Sequence, residues 1–341
     1  MPYLPATIES LRAQTTQNFE VILVDDGSTD DSPAYLQSLS DDRYRYFRLE
    51  RSGIASALNF GIERARSELI ARIDADDIAY QRRLEVQVAV FDCDPSLVLL
   101  GCSFDTIDAA GEITGEWHCL TSDLANRWLM LFTTPFPHPG VMFRRSAALS
   151  AGGYDPACPV AQDYDLWARL AEQGTIGNVP QKLIQKRTHA AAWGHQHSTN
   201  QRETASRAAA RYAERLGLGP DSDDYRRLYA FLWWGEGQSD SEGDAIVEAF
   251  QRAIDYFAAT GSQDAGEFWK SVAYFQRRLA WRCHEQARIH WTRPLTAAAW
   301  LRRARRIDPD HGGLLNTAKR KLCRTLGVPQ QEFAAHSYAV C

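Results

Sequence analysis

Two periods of apolar spacing alternate along the first half of the chain. Val21-Ile22-Leu23-Val24, entered from Glu20, is a continuous apolar run of the kind that marks a strand buried on both faces. It closes on Asp25-Asp26-Gly27-Ser28, a turn-and-cap cluster, after which a helix is expected over Ser32 to Leu39. Tyr44 to Leu49 alternates as a second strand, and Leu69 to Ile73 is a third that runs into Asp74-Ala75-Asp76-Asp77. Between these two, Ile54, Ala57, Leu58, Ile62 and Ala65 have helical spacing. Ile8 and Leu11 place a helix ending near Gln14, and Arg83 to Phe91 predicts another, followed by the apolar Leu97 to Leu100. Further on come a helix around Ser122 to Phe132, a Pro/His-rich stretch from Thr134 to Gly140, a short strand Val141 to Phe143, and a helix from Asp163 to Gln173.

Strands alternating with helices predict an α/β fold with a mostly parallel, doubly wound sheet. Such sheets bind ligands at the carboxyl ends of their strands, where both acidic clusters fall. Past about residue 200 the strand signals vanish and helical, arginine- and aromatic-rich stretches run to about Leu326, without a convincing repeat. The expected organisation is an α/β domain over residues 1–200 and a helical region over 201–341.

Composition narrows the picture. A net charge of −5 and a pI near 6.0 argue against nucleic acid as the main partner. No segment approaches the roughly 18 apolar residues that span a bilayer. Met1 to Pro5 has no charged leader or apolar core of a secretory signal, so the expected location is cytoplasmic, or the inner face of the membrane. The seven cysteines (93, 102, 119, 158, 283, 323, 341) are scattered without zinc spacing and fit reduced thiols.

The acidic clusters carry the candidate chemistry. Asp74, Asp76 and Asp77 would repel one another unless a cation or protons intervene, and carboxylate-rich sites suit Mg²⁺ or Mn²⁺. The plain alternative is a solvated acidic turn capping the next helix. At Asp25-Asp26 a carboxylate could accept hydrogen bonds from a ribose or base edge; the alternative is a turn with Gly27 at positive φ. Asp163, in Gln162-Asp163-Tyr164-Asp165-Leu166-Trp167, precedes a helix whose N-terminus would keep it ionised, as a general base should be, or it is simply an N-cap.

Taken together and in order, these segments resemble the family 2 glycosyltransferases of GT-A fold. The matching stretches are Ser10 to Thr15 (SLRAQT), Phe19 to Asp30 (FEVILVDDGSTD), Ala57 to Ile62 (ALNFGI), Ile70 to Ile78 (IARIDADDI), Arg83-Leu84-Glu85, Pro137 to Arg145 (PHPGVMFRR) and Ala161 to Leu170 (AQDYDLWARL). The resemblance covers residues 3 to 200. It implies a nucleotide-diphospho-sugar fold and an inverting transfer of a sugar from a nucleotide diphosphate donor to an acceptor hydroxyl. It further implies a divalent metal cofactor and a glycan or lipid-linked acceptor in cell-surface glycan synthesis.

Carried over by residue, Asp25, Asp26, Asp74 and Asn59 would bind the nucleotide sugar, and Asp74, Asp76 and His189 would hold the metal. Asp163 would be the base, and His138 and Gln162 would lie on the acceptor side. His195 and His197 compete with His189, and a buried structural histidine competes for His138.

The chain departs from the family in lacking an apolar first strand followed by a Pro-x-Tyr-Asn turn. That strand would sit between the Val21 and Ile70 strands. Either translation starts upstream of Met1, or the chain is truly truncated; expressed as given, the 341-residue chain is expected to be poorly soluble or inactive. The usual Glu before the base is Gln162, and Gln81 stands where a proline is common. Residues 270–324 carry fourteen Lys/Arg against three Asp/Glu, among Trp281, Trp291 and Trp300, a pattern fitting peripheral membrane contact or a helical subdomain with its tryptophans turned inward. Two other function classes compete. One is a catalytically inactive GT-A-fold protein that acts as an interaction module through its helical tail. The other is a nucleotidyltransferase, against which the absence of a Gly-rich phosphate loop argues.

Overall fold

The computed structural model describes residues 2–158, 161–189, 198–218, 222–235, 240–260, 265–290 and 292–308. Cys323, Cys341, Trp291, His195 and His197 lie outside the described residues. The chain divides into two compact units between Ala208 and Ala209.

In the first unit, α1 (Leu4–Arg12) begins with Pro5 in its first turn, where the missing N–H costs nothing. Then follow β1 (Val21–Asp25), α2 (Ser32–Gln37), β2 (Tyr44–Arg48), α3 (Ile54–Arg64), β3 (Leu69–Ala71), β4 (Ile78–Ala79) and α4 (Arg83–Cys93). β5 (Leu97–Ile107), β6 (Ile113–Trp117), α5 (Asp123–Leu129), a 3₁₀ turn His138–Gly140, β7 (Met142–Arg144), α6 (Arg145–Ser150), α7 (Gln162–Leu170) and β8 (Thr175–Arg187) complete it. α5 starts where Ser122 Oγ accepts from Ala125 N at 3.2 Å, an N-cap of the usual kind.

The sheet is mixed rather than mostly parallel. Parallel pairing holds for β1–β2 and β5–β8, whereas β3–β7, β5–β7, β5–β6 and β4–β8 are antiparallel. β5 and β8 form the spine: β8 runs along β5 from Leu97↔Thr175 to Ile107↔Arg187. The other edge of β5 takes β7 at Leu99–Leu100 and β6 at Phe104–Ile107. Phe91, Leu100, Cys102, Met142, Val179 and Ile184 make the core around this spine.

The strands also divide into two sheets. β1 pairs only with β2, and β3 stands at the end of the order β3-β7-β5-β8-β4, so β1 and β3 each have an edge with no described strand partner. Val21 to Val24 are accordingly half-buried, not buried on both faces as the apolar run predicts. α1 reaches both sheets. Its Leu4 and Ile8 cluster with Leu36, Leu23, Tyr44 and Tyr46 on the β1–β2 side. Its Thr7 Oγ1 donates to Ala75 O at 3.0 Å and Asp77 O at 2.8 Å, and Gln14 Nε2 donates to Tyr80 O at 2.9 Å.

The second unit is helical: α8 (Ser198–Arg215) leads into it, followed by α9 (Ser222–Trp234), α10 (Asp240–Ala259), α11 (Ala265–Ile289) and α12 (Pro294–Ile307). Trp300 is fully buried against Phe231, whereas Trp281 is exposed, so the inward-facing reading of the tryptophans holds for one and not the other. Cys93, Cys102 and Cys283 are free thiols. Among the described residues no helix is long and apolar enough to cross a membrane.

Candidate active site

The site is built on the loops that leave β1 and β3 and on the first turn of α7. After β3 the chain turns so that Asp74, Asp76 and Asp77 bring carboxylate oxygens within 4.8 Å of one another. Each acid has a different environment. Both oxygens of Asp74 are engaged by the buried Arg72 guanidinium in a fork, one arm at 2.6 Å. Such bidentate pairs are strong and directional. Asp76 Oδ2 lies 3.0 Å from His189 Nε2. Asp77 is buried and accepts the Arg187 backbone N–H at 2.6 Å. Burial first, and then the neighbouring Asp74, push its carboxyl up to about 7. A buried carboxyl raised beside two others marks a site short of positive charge.

Oxygen donors in this number, with an imidazole at the edge, fit a hard divalent cation such as Mg²⁺ or Mn²⁺. Among the described hydrogen bonds Asp76 Oδ1 is not engaged, whereas both Asp74 oxygens face Arg72 and His189 Nε2 faces Asp76 Oδ2. Arg187 organises the rim: its Nε donates to Asp76 O at 2.8 Å and its guanidinium lies 4.5 Å from the Tyr3 ring centroid. Tyr3 in turn sits 5.0 Å from the His189 ring.

Asp163 stands on the first turn of α7. Its Oδ1 accepts the N–H of Tyr164 at 2.9 Å, while Asp165 is spent on Arg169 at 2.6 Å. Burial raises the Asp163 carboxyl, opposed by the Tyr164 N–H and the charges of Arg72 and Lys186. The residue before this turn, Ala161, holds φ at 56°, in the left-handed region. That costs an L residue about 1–2 kcal/mol and is the sort of strain that collects at working sites. Gln162 is buried beside it.

His138 Nε2 lies 3.0 Å from Tyr154 Oη, with the ring edge-on to Trp167 at 5.9 Å. Burial, then Arg72 and Lys186, hold its pKa well below the ordinary histidine value, so it is a neutral partner. Burial likewise raises the Tyr154 phenol, helped by Asp163 and Asp74. Arg72 thus acts electrostatically on Asp74, Asp163, His138 and Tyr154 together.

Two expected donor-binding residues, Asn59 and Asp25, make internal hydrogen bonds. Asn59 spends both ends of its amide on the Tyr154 backbone, donating to O at 2.8 Å and accepting from N at 2.7 Å. Gly153 at φ 69° makes room for it, since a Cβ there would lie 2.4 Å from Asn59 Oδ1. Asp25 is buried, with Ser28 N at 2.8 Å and Tyr46 Oη at 2.9 Å on its two oxygens. Burial would raise its pKa, but these bonds and Arg48 more than offset it. Asp26 faces outward and accepts from Ser52 N at 2.6 Å and Gly53 N at 2.9 Å. None of the described hydrogen bonds links Asp26 to the Asp74–Asp77 loop.

Against this geometry, the sequence profile described as "Glycosyl transferase family 2" matches residues 1–150. The amylovoran biosynthesis glycosyltransferase AmsE of Erwinia amylovora is 30% identical over 191 residues, covering 54% of this chain and 70% of that protein. The chain belongs to glycosyl transferase family 2. It also matches an uncharacterized glycosyltransferase of Rickettsia felis, 31% identical over 195 residues, covering 55% of this chain and only 32% of that protein. The crystal structure of Staphylococcus aureus TarS 1–349 in complex with UDP superposes with a TM-score of 0.53 at 14% identity. It covers 91% of this chain and 87% of TarS 1–349, a likeness of fold.

Arg72, Tyr154, Lys186 and Arg187 were not singled out from the sequence. For Arg72 a signal existed: a lone arginine inside the apolar run Leu69 to Ile73 has to find a buried partner.

Proposed function

We propose that this family 2 enzyme transfers a sugar, with inversion, from a nucleoside diphosphate donor to an acceptor hydroxyl of a growing surface glycan. The observation that carries the reading is the acidic loop after β3, where Asp74, Asp76 and Asp77 gather carboxylate oxygens within 4.8 Å of one another and His189 lies 3.0 Å from Asp76. In this reading Asp163 takes the proton of the acceptor hydroxyl. That oxygen bonds to the anomeric carbon as the bond from the same carbon to the diphosphate oxygen breaks, and the nucleoside diphosphate leaves. Asp76 and His189, with Asp74, would hold a Mn²⁺ or Mg²⁺ ion, which supplies positive charge for the leaving diphosphate. Asp26 would meet the ribose or base, and neutral His138 would line the acceptor side with Gln162. UDP in the TarS complex and amylovoran in the name of AmsE support a nucleotide-sugar donor and a polysaccharide product.

The test is donor turnover with Mn²⁺ over a panel of nucleotide sugars, with the anomeric configuration of the product read by NMR. Asp163→Asn is expected to lose about 10²–10⁴-fold in transfer while still binding nucleotide. Product of retained configuration, or wild-type turnover in Asp163→Asn, would refute the assignment.

One observation favours the second reading, an inactive GT-A-fold protein that works as an interaction module. Asp26 and the Asp74–Asp77 loop ride on separate sheets, and among the described residues β1 and β3 each keep an edge without a strand partner. Absence of turnover with every donor, despite nucleotide binding, would favour it.

A further inference from the structure

The turn between α11 and α12 joins exposed aliphatic side chains to exposed arginines, with Glu285, which is held by Arg282, and Asp308 as the flanking acids in the sequence. From Gln286 to Ile307 there are six arginines (288, 293, 302, 303, 305, 306) and no carboxylate. Arg303 is buried and spent on Asp244, at 2.8 and 3.0 Å. Among the described residues the other five are exposed and none is held in an ion pair.

At the turn itself Ile289 is 63% and Leu295 85% exposed, with Arg288 and Arg293 exposed beside them. Along α11 the exposed positions Lys270, Arg277, Trp281 and Arg288 recur at helical spacing and so share a face. Trp281 carries the Arg282 guanidinium 4.7 Å from its ring centroid. α12 leads away from the turn for about 20 Å, at ~1.5 Å per residue, so the turn is the far end of this hairpin from Ile307.

Aliphatic tips ringed by single-sign cationic groups suit one kind of surface. Water leaves Leu295 and Ile289 exposed at a cost, and nucleic acid offers aliphatic groups nothing. A lipid interface takes the apolar tips below the headgroups and the arginines beside anionic phosphates. We propose that the α11–α12 turn docks on an anionic lipid surface, with Ile289 and Leu295 entering the acyl boundary and Arg288, Arg293 and Trp281 lying at headgroup level. This docking stands apart from the transferase reading, which rests on donor turnover without vesicles.

The test is co-sedimentation of the full chain with phosphatidylcholine vesicles, with and without phosphatidylglycerol, at low and high salt. The chain is expected to pellet with the anionic vesicles at low salt and to be released by high salt. Arg288→Gln with Arg293→Gln should weaken partition roughly 30-fold, from about 1 kcal/mol for each arginine. Ile289→Ser with Leu295→Ser should weaken it again while leaving the salt dependence in place. Circular dichroism on both variants checks that the helices persist. Absence of pelleting by the wild type, or unchanged pelleting by both folded variants, would overturn the proposal. So would a solution dimer that Leu295→Ser dissociates, because the turn would then be a protein contact.

Discussion

Replacing Arg72 with methionine isolates the most consequential charge in the site. Methionine keeps most of the aliphatic volume, and the backbone bonds of residue 72, from its N to Val141 O at 3.0 Å and from Arg83 Nη2 to its O at 2.6 Å, are unchanged. What is lost is the fork onto Asp74. Breaking a fully buried pair costs about 3–5 kcal/mol, because a charge is left uncompensated. Here Asp74 is 38% exposed, so water recovers part of that, and the loss falls nearer the 1–3 kcal/mol of an unsatisfied polar group. The Arg72 Nε has no hydrogen-bond partner and is buried, so its removal returns some of the cost. Urea unfolding of wild type, Arg72→Met, Asp74→Asn and the double variant forms a cycle. If Arg72 acts through Asp74, the pair couples by more than about 0.5 kcal/mol, and Arg72→Met costs less in the Asp74→Asn background. Nucleotide affinity measured on the same four proteins should show the same non-additivity. Additive losses in both measurements would refute the coupling.

Three further outcomes follow from the geometry. Gly153→Ala forces a Cβ into the left-handed region and to 2.4 Å from Asn59 Oδ1, so unfolding stability should fall by about 1–3 kcal/mol, read by thermal melting. Asp77, raised to about 7, holds a proton in the folded state that it lacks when unfolded, so the metal-free protein should lose stability as pH rises from about 4 through 7. Melting in EDTA should show this fall, Asp77→Asn should flatten it, and added Mn²⁺ should stabilise most at the alkaline end. His189→Ala should weaken Mn²⁺ binding at least about tenfold, the loss typical of even an outer partner, measured by calorimetry. Unchanged affinity would remove His189 from the metal site.

The sequence is most informative where one local rule dominates. The helices at Leu4–Arg12, Ile54–Arg64 and Arg83–Cys93 and the strands entering both acidic clusters stand close to where spacing places them. β8 went unseen because Gly177, Asn178, Pro180 and the polar Gln181-Lys182 look like a loop. Its backbone is held by β5 along nearly its whole length, so tertiary pairing overrides propensity. β7 stands where a short strand is expected, but its antiparallel partners at Leu69–Ala71 and Leu99–Leu100 are distant in sequence, so its direction leaves no local period; β6 is the hairpin return of β5, pairing Ile107 with Ile113, and has no place in the doubly wound expectation. At the site the acids were legible as a pattern, but their roles depended on what each side chain reaches. Asn59 bonds the Tyr154 backbone with both ends of its amide, and nothing near residue 59 in the sequence announces residue 154.

The division of the strands into two sheets bears on how the site breathes. The amides along one side of β1 and of β3 have no described ladder to protect them, so local opening there need not wait for global unfolding. Two helices tie the halves together. α1 grips the 75–80 segment through Thr7 and Gln14, and α3 grips residue 154 through Asn59. Deuterium uptake at the two acidic loops should therefore rise together when either helix is loosened, which makes short helices outside the chemistry the keepers of its alignment.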